Sequence, residues 1–268
     1  MISVEQSYQH CRTVARTQAK NFYYSFLLLD KLQRDAMCAV YAFMRFSDDL
    51  SDGSEVASYA AMERWRAELD DALRGDFGSN PCWPAFHDAV QRYRIPHQYF
   101  HHMIDGVSSD LEPRNFQTFD ELYKYCYQVA SVVGLTVIHI FGFKDSEALL
   151  LAEKCGVAFQ LTNILRDIKE DEERGRKYLP HEDRQRFPAF RDLMKFEADR
   201  AHRYYAESAP LVGMVYRRSR PSLWALIEIY RRLLDRIEAS GFDVMNRRIR
   251  LSTAEKLGII ARAWLMRL

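Results

Sequence analysis

The chain has 268 residues, of which 48% are hydrophobic and 28% charged, and its formal net charge is +1. This composition is typical of a globular protein, and the near-neutral charge excludes nucleic-acid binding through bulk charge, so no nucleic-acid partner is expected. Its 11 glycines and 8 prolines are few, which favours helices over a turn-rich β fold.

Cysteine usage and the N-terminus indicate the compartment. Five scattered cysteines without a CxxC pair are expected to remain reduced thiols. The first twenty residues lack the apolar stretch of a signal peptide, and no uninterrupted apolar run approaches the roughly 20 residues needed to cross a bilayer. We therefore expect a cytoplasmic protein. Peripheral contact with the inner face of a membrane stays open, and nothing in the pattern indicates an oligomeric state.

The hydrophobic pattern predicts helix after helix and no alternating strand. In chain order the predicted helices cover residues 4–20, 32–50, 55–75, 82–93, 96–110, 118–141, 145–173, 188–212 and 221–241. Thr118 and Glu121 form a predicted capping box at the start of one helix. No repeat or linker interrupts the series, so the sequence predicts a single all-α domain over residues 1–268.

A cluster of acidic residues ends an apolar helix in "AVYAFMRFSDDLSD", residues 39–52. Tyr41, Arg45, Asp48 and Asp52 are spaced by 4, 3 and 4 residues, so they form one stripe along the helix. The other positions are largely apolar, and a helix that is apolar nearly all round should be buried. The polar stripe is therefore expected to face a cavity.

A second apolar helix carries the same pattern in "GVAFQLTNILRDIKEDEERGRKYLP". Gln160, Asn163, Asp167 and Asp171 are spaced by 3, 4 and 4 residues and again form one stripe. Buried carboxylates are costly unless cations neutralise them. Oxygen ligands of this kind suit Mg²⁺, with Mn²⁺ an acceptable substitute, and substrate phosphates complete the coordination. The two stripes together predict a metal site.

Basic residues flank both stripes and are candidates for clamping a diphosphate. The alternative for each cluster alone is a solvated helix face, with the basic residues in ordinary pairs one turn away. Two stripes with polar residues in register favour the metal site. The basic candidates are Arg45, Arg166, Arg174, Arg176 and Lys177.

Histidines and glycines offer weaker signals of other ligands. His97, His101 and Asp105 share one face of a predicted helix, a spacing that also suits a transition metal. The neighbouring His102 favours a solvated surface instead. No GxGxxG or GxxxxGK[ST] motif occurs, so no dedicated nucleotide-binding fold is predicted.

At its acidic motifs the chain resembles the squalene and phytoene synthases, a family of head-to-head trans-prenyl diphosphate synthases. "NFYYSFLLL", "IDGVSSDLE" and "YCYQVASVVG", which begin at residues 21, 104 and 125, also match. The resemblance runs over nearly the whole chain and in family order. It implies an all-α isoprenoid-synthase helical bundle with a central cavity between the two aspartate-rich motifs.

The resemblance also implies roles for individual residues. The expected metal ligands are Asp48, Asp49, Asp52, Asn163, Asp167 and Asp171. The residues expected to contact diphosphate or assist its departure are Tyr41, Arg45, Tyr125, Gln160, Arg166 and Arg176, with Lys20 and Asn21 at the start of the chain. The chain departs from the family around Lys20, where histidine and serines are frequent, and at Lys169, where glycine is usual.

An inert cavity is expected beside the metal site, because the implied reaction passes through a carbocation. Phe26 lies one helical turn beyond Phe22 and is predicted to form the floor of the prenyl tunnel, with ordinary core packing as the alternative. The expected wall residues are Phe22, Phe26, Val129, Ala130, Val133, Gly134, Leu135 and Phe159.

The function that the resemblance implies is the Mg²⁺-dependent condensation of two farnesyl diphosphates to presqualene diphosphate, squalene or a related C30 product, with release of diphosphate. Within the same enzyme class, the alternative is a phytoene or dehydrosqualene synthase of carotenoid biosynthesis. From another class, the alternative is a non-catalytic helical protein that binds prenyl diphosphates, although every motif aspartate is present. Use of NADPH stays open, since some family members bind it without a nucleotide motif.

Overall fold

The computed structural model describes residues 2–19, 22–51 and 55–266, and at residues 51 and 55–57 it describes the backbone alone. The regular elements in these ranges are helices, with two isolated β-bridges, Asn115 to Lys177 and Phe143 to Val215. The all-α prediction is confirmed.

The first half of the bundle runs to the cavity-facing helices. It contains α1 Val4–Gln18, α2 Phe22–Phe26, α3 Lys31–Ser51, α4 Glu55–Arg74, α5 Trp83–Tyr93, α6 Gln98–Ser108, α7 Phe119–Cys126 and α8 Val132–Phe141. The second half contains α9 Glu147–Glu173, α10 His181–Arg186, α11 Phe190–Ser208, α12 Leu211–Met214, α13 Arg220–Ala239 and α14 Thr253–Leu265. A π-helical turn, Tyr127–Ser131, joins α7 to α8.

Each predicted helix is present, but three helices were missed and two are interrupted. The missed ones are α2, α10 and α14. The predicted helix 118–141 contains the π-turn, and the predicted helix 188–212 divides into α11 and α12. The predicted capping box at Thr118 is half formed: Thr118 accepts from the Glu121 amide at 3.3 Å, while the Glu121 carboxylate accepts from the Gln117 amide at 2.7 Å.

Buried apolar side chains form two clusters that meet at the centre of the chain. The first contains an aromatic stack in which Phe43 packs on Phe86 and Phe100, with ring centroids 4.8 and 5.5 Å apart. The second gathers around α9, α11 and α13. Phe22 and Phe159 are half-buried and contact both clusters, so they mark the junction.

Glycine allows α9 to approach the π-turn backbone to backbone. A Cβ atom at Gly156 would lie 2.5 Å from the Ser131 Cα, and one at Gly134 would lie 2.9 Å from the Ala152 carbonyl oxygen. Both distances are shorter than side chains tolerate, so only glycine fits at these two positions. The close contact fixes the π-turn and α8 against α9.

Two stretches, Phe119–Phe141 and Glu147–Glu173, are long and apolar enough to cross a membrane by length and composition alone. In the most apolar window of each, 56% and 61% are buried inside the bundle. They pack against each other and against α11 and α13. Their apolar character therefore serves core packing in this fold. The five cysteines are free and buried, in agreement with the prediction of reduced thiols.

Candidate active site

A cavity of about 200 Å³ lies at the junction of the two apolar clusters. Its walls come from α2, α3, the π-turn, α8, α9, α12 and α13, and they are mostly apolar. Gln160, Asn163 and Tyr230 contribute the nitrogen and oxygen atoms of its side-chain lining. Six of the predicted wall residues do line it: Phe22, Val129, Ala130, Val133, Gly134 and Phe159.

Phe26 and Leu135, also predicted as wall, lie outside this lining. Phe26 is 2% exposed and belongs to the first apolar cluster, where its ring meets Tyr23 edge-on with centroids 6.4 Å apart. Leu135 is buried in the same cluster, because consecutive helical residues point about 100° apart and α8 presents Gly134 to the cavity. The structure therefore places Phe26 in packed core.

Tyr230 of α13 connects the two acidic stripes. Its ring stacks on Phe159, with centroids 4.2 Å apart and an interplanar angle of 6°, and its hydroxyl hydrogen-bonds the Asn163 side chain. Tyr230 also contributes to the raised pKa of Tyr41 on α3, which places the two hydroxyls near each other. The stripes of α3 and α9 thus converge on a tyrosine that sequence reasoning missed. Its only signal was a lone phenol within the apolar run "ALIEIY".

Asn163 has the geometry of a metal ligand. Its Oδ1 is buried and accepts no hydrogen bond from the described residues. Its amide nitrogen serves Tyr230, whose oxygen receives the bond. A buried carbonyl oxygen without a partner is unfavourable by about 1–3 kcal/mol, and hard divalent cations take oxygens of this kind. The donor set therefore fits the predicted metal.

Asp167, the next member of the stripe, is neutralised by two arginines in the structure. Arg166 donates to it from Nε at 2.9 Å, and Arg248 lies 3.1 Å away while also pairing with Glu170 at 3.0 Å. Arg248 was missed by sequence reasoning. It comes from "NRRIR", far along the chain, and only the fold brings it to α9. The half-buried carboxylate is thus arranged to share cationic partners.

Asp171 has a strongly perturbed acidity. Burial, together with the Asp167 and Asp110 carboxylates, raises the pKa of Asp171 to about 7, although Arg176 and Arg174 oppose the shift. Burial and like charges both disfavour ionisation, and a cation bound between the carboxylates would favour it. Asp171 therefore has the electrostatic character of a ligand whose charge is completed by a metal.

The α3 stripe ends at the surface. Asp48 and Asp49 are exposed, and Asp49 is paired with Arg45. The Arg45 Nε atom is buried and has no partner among the described residues, so a donor remains for a bound anion. Burial raises the pKa of Tyr41 to about 12, and its phenol therefore stays protonated as a hydrogen-bond donor. Three predicted site residues, Lys20, Asn21 and Asp52, lie outside the described ranges and stay predictions.

A second, open cleft of about 620 Å³ borders α9 beside Arg166. Its lining gathers basic side chains from four separate parts of the chain, where sequence reasoning identified Arg166 alone. Guanidinium and ammonium groups at this density fit a diphosphate. Arg174 and Lys177, also candidates, are exposed elsewhere on the loop after α9. The basic residues of the cleft are Arg16, Arg166, Arg248, Arg250 and Lys256.

Tyr125 and Arg176 meet at Asp110 rather than at the cavity. The Tyr125 hydroxyl donates to one oxygen of Asp110 at 2.9 Å, and the Tyr178 hydroxyl donates to the other at 3.0 Å. Arg176 donates to the Asp110 carbonyl oxygen at 2.8 Å. Burial raises the pKa of Asp110 even though Arg176 and both hydroxyls favour its charge. Asp110 thus holds together two residues that were predicted to contact diphosphate.

Backbone hydrogen bonds extend this contact. The amides of Lys177, His181 and Glu182 donate to carbonyl oxygens of residues 114, 116 and 117 at 2.7, 2.9 and 3.1 Å. The segment that follows the second acidic stripe is therefore fixed along its length to the segment that contains Asp110. This arrangement sets the position of Arg176 relative to Asp171.

The histidine candidates for a transition metal are used otherwise. His101 lies 3.3 Å from Asp70, and Asp105 accepts from Arg66 at 2.5 Å. His97 precedes α6 as its N-terminal flanking residue. The structure does not bring the three together as a ligand set.

Comparison with known proteins gives relatives along nearly the whole chain. The family model described as squalene/phytoene synthase matches residues 15–255. The 15-cis-phytoene synthase of Synechocystis sp. is 36% identical over 98% of this chain and 86% of its own length. The phytoene synthase of Mycobacterium tuberculosis is 36% identical over 98% of this chain and 92% of its own length.

Solved structures agree with these relatives. A dehydrosqualene synthase in complex with a ligand has a TM-score of 0.90 at 27% identity and covers 97% of this chain and 96% of its own. Squalene synthase HpnC from Alicyclobacillus acidocaldarius has a TM-score of 0.82 at 27% identity, over 89% and 95%. The match of the family model over most of the chain decides the assignment: the chain belongs to the squalene/phytoene synthase family of prenyltransferases.

Proposed function

We propose that the protein condenses two molecules of geranylgeranyl diphosphate head to head to form phytoene, with Mg²⁺ as its metal. The observation that carries this proposal is the 36% identity to two phytoene synthases over 98% of the chain. Condensation of farnesyl diphosphate to a C30 product is the second candidate. The likeness to a dehydrosqualene synthase, at 27% identity and a TM-score of 0.90, supports it.

The proposed reaction needs no reductant. Two allylic diphosphates lose two diphosphate ions and two protons as the carbon chains join, which leaves a new central double bond. A squalene product would instead require a hydride. NADPH is therefore not a cofactor of the proposed reaction, and its effect on product distinguishes the two outcomes.

The described residues divide the work of ionisation between two regions. Arg166, Arg248 and Lys256 offer charged donors to diphosphate oxygens, and the protonated Tyr41 offers a neutral one. Mg²⁺ held by the acidic stripes would stabilise the negative charge of the leaving diphosphate. The apolar cavity excludes water from the allylic cation, and the rings of Phe159 and Tyr230 face it with π-electron density.

Incubation with farnesyl or geranylgeranyl diphosphate and Mg²⁺, with and without NADPH, tests the proposal through mass spectrometry of the extracted hydrocarbon. We expect phytoene from geranylgeranyl diphosphate, independent of NADPH. A C30 product formed in preference from farnesyl diphosphate would favour the second candidate. Binding of either diphosphate without turnover would instead favour the non-catalytic alternative.

The length of α9 offers a measure of chain length. Ala152 and Asn163 both line the cavity, and eleven residues of helix separate them by about 16 Å. Asn163 stands beside the acidic motif, so Ala152 marks the far end of this wall. A side chain that projects from Ala152 would shorten the cavity there.

Ala152→Leu is expected to reduce use of geranylgeranyl diphosphate at least about tenfold relative to farnesyl diphosphate, because the added carbons occupy the far end of the cavity. Competition between the two substrates, followed by mass spectrometry, measures the ratio. Ala148→Leu is the matched control, since Ala148 is buried one turn earlier on α9 but does not line the cavity. Equal losses for both substrates, or the same change of ratio in the control, would contradict the assignment.

Phe26→Ala is expected to lower the free energy of unfolding by about 3–5 kcal/mol without lengthening the product, because the ring packs in core and does not line the cavity. Denaturant unfolding and product analysis measure the two effects. A longer product from the variant would restore Phe26 as the floor of the tunnel.

Asp110→Asn is expected to lower kcat by at least about tenfold and stability by about 1–3 kcal/mol, because an amide cannot accept well from both tyrosines and hold Arg176 in place. Asp35→Asn is the matched control. Asp35 is also buried and paired, with Arg12 at 3.1 Å and Lys31 at 2.9 Å, and it precedes Asp48 by about 20 Å of helix. The control should lose stability and keep kcat. An unchanged kcat in Asp110→Asn would show that the hub is structural alone.

A further inference from the structure

The outward face of α14 is apolar. Leu257, Trp264 and Leu265 are 52%, 53% and 60% exposed. Ala254, Gly258 and Ala261 are also exposed. At 100° per residue, these six residues, here called the α14 arc, span about 120° of the helix with no polar side chain among them. The opposite positions Ile259 and Ala263 are fully buried against the bundle.

This pattern differs from that of an ordinary surface helix. Such a helix buries one apolar stripe and presents polar residues to water. Exposed leucines elsewhere stand among charges: Leu150 is 63% exposed, but Glu147 and Lys154 flank it on the same face of α9. A contiguous apolar surface is instead typical of an interaction site. The α14 arc therefore has the character of a surface that another apolar phase covers.

The surroundings of the α14 arc are basic. Between residues 247 and 266 the single acidic residue is Glu255, and Arg236 neutralises it at 2.5 Å. Arg262 adjoins the arc and lies 5.6 Å from the Trp224 ring. Arg247 and Arg250 line an open cavity before the start of the helix. The other basic residues of this stretch are Arg248 and Lys256.

This charge distribution decides between two occupants, a bilayer and a second copy of the chain. The arc covers on the order of 200–400 Å² on a helix of 13 residues, well below the roughly 800 Å² per partner of a stable interface. A two-fold contact would also set one basic margin against the other. Anionic phospholipids present both an apolar phase and complementary charge.

We propose that α14 docks the protein on the surface of a membrane that contains anionic phospholipid. The α14 arc lies among the acyl chains just below the headgroups, and the arginines around it contact lipid phosphates. Lys256 and Thr253 of the same helix line the basic cleft, so docking brings the mouth of that cleft to the membrane surface. An apolar product would then leave toward lipid rather than water.

Flotation of the full chain with vesicles tests the proposal. The vesicles are phosphatidylcholine with about 30 mol% phosphatidylglycerol, and phosphatidylcholine alone serves for comparison. The double variant Leu257→Glu with Leu265→Glu removes the apolar arc, and Leu32→Glu with Leu150→Glu is the matched control at 56% and 63% exposure. All four leucines are exposed, so the melting temperature should hardly change in either variant.

We expect the parent and the control to float with the anionic vesicles, less so in about 1 M NaCl, and the arc variant to bind at least about tenfold less. Turnover in detergent should be equal in all three, which separates docking from chemistry. A parent that does not float, or an arc variant that floats equally, would overturn the proposal. So would light scattering that finds a dimer which the arc substitutions dissociate, because a second copy would then cover the arc.

Discussion

Asp171→Asn is expected to lower turnover by at least about a thousandfold, while the fold becomes more stable than that of the parent above neutral pH. The first effect follows from the loss of a carboxylate beside Asn163 and Asp167, where a cation must neutralise the departing diphosphate. The second follows from the environment of the carboxyl group. Burial and the neighbouring carboxylates raise the pKa of Asp171 to about 7.

The sign of the stability effect depends on pH. With a raised pKa, the folded state holds a proton on Asp171 that the unfolded chain has already lost. The stabilisation is complete below the ordinary pKa of an aspartate and is lost as the pH rises toward 7. Above 7 the ionised group costs the fold up to about 4 kcal/mol, the equivalent of three pKa units. Without divalent cations, the difference in melting temperature between Asp171→Asn and the parent should therefore grow from about pH 5 to about pH 8.

Glu172→Gln is the matched control for this substitution. Glu172 is the next residue of α9 and is exposed, so it is expected to keep both turnover and the pH dependence of stability. Asp48→Ala, in the first stripe, should abolish turnover like Asp171→Asn. Activity of the Asp171 variant within about tenfold of the parent would remove Asp171 from the metal site.

Chelation of divalent cations is expected to stop turnover, and added Mg²⁺ to restore it. The reason is electrostatic: Asp167 and Asp171 face the site on successive turns of α9, and a cation bound there binds the folded state alone. Mg²⁺ at about 100 times its dissociation constant should add about 2.7 kcal/mol of stability. Thermal melting with and without Mg²⁺ measures this effect apart from turnover, and the Asp171→Asn variant should show less of it.

EDTA presaturated with Mg²⁺ is the control for chelation, and it should change nothing. Mn²⁺ is expected to restore turnover as well, because the ligands are oxygen atoms. Full activity after exhaustive chelation would contradict the metal role. It would assign charge neutralisation to the guanidinium and ammonium groups of the basic cleft instead.

The acidic stripes were visible in the sequence because they are local. Asn163, Asp167 and Asp171 lie on successive turns of one helix, so spacing alone places them on one face. Tyr230, Arg248 and the Asp110 hub were not visible, because each reaches the site through contacts between distant segments. Asp110 and Tyr178 are separated by 68 residues, and no periodicity within a helix connects them.

Two further differences have physical causes. The π-turn at Tyr127–Ser131 interrupts a stretch that is apolar on every face, so the hydrophobic period carries no trace of the extra residue. The helix α14 was missed because apolar residues lie on both its buried and its outward faces, which blurs the period of 3.6. The usable signal was the capping box of Ser252 and Glu255, where the Glu255 carboxylate accepts from the Ser252 amide at 2.8 Å. Whether Phe26 packs in core or lines the cavity depends on tertiary packing alone.

The contact of α9 with the π-turn at Gly156 and Gly134 limits how product length can evolve. Along this wall the backbones already touch, so a substitution at either glycine can only narrow the cavity or separate the helices. The opposite wall is built from the side chains of Leu211, Leu223 and Leu226, which smaller residues can replace. Mutation therefore shortens substrates from one side and lengthens them from the other, and a lineage that acquires longer substrates must change the leucine wall first.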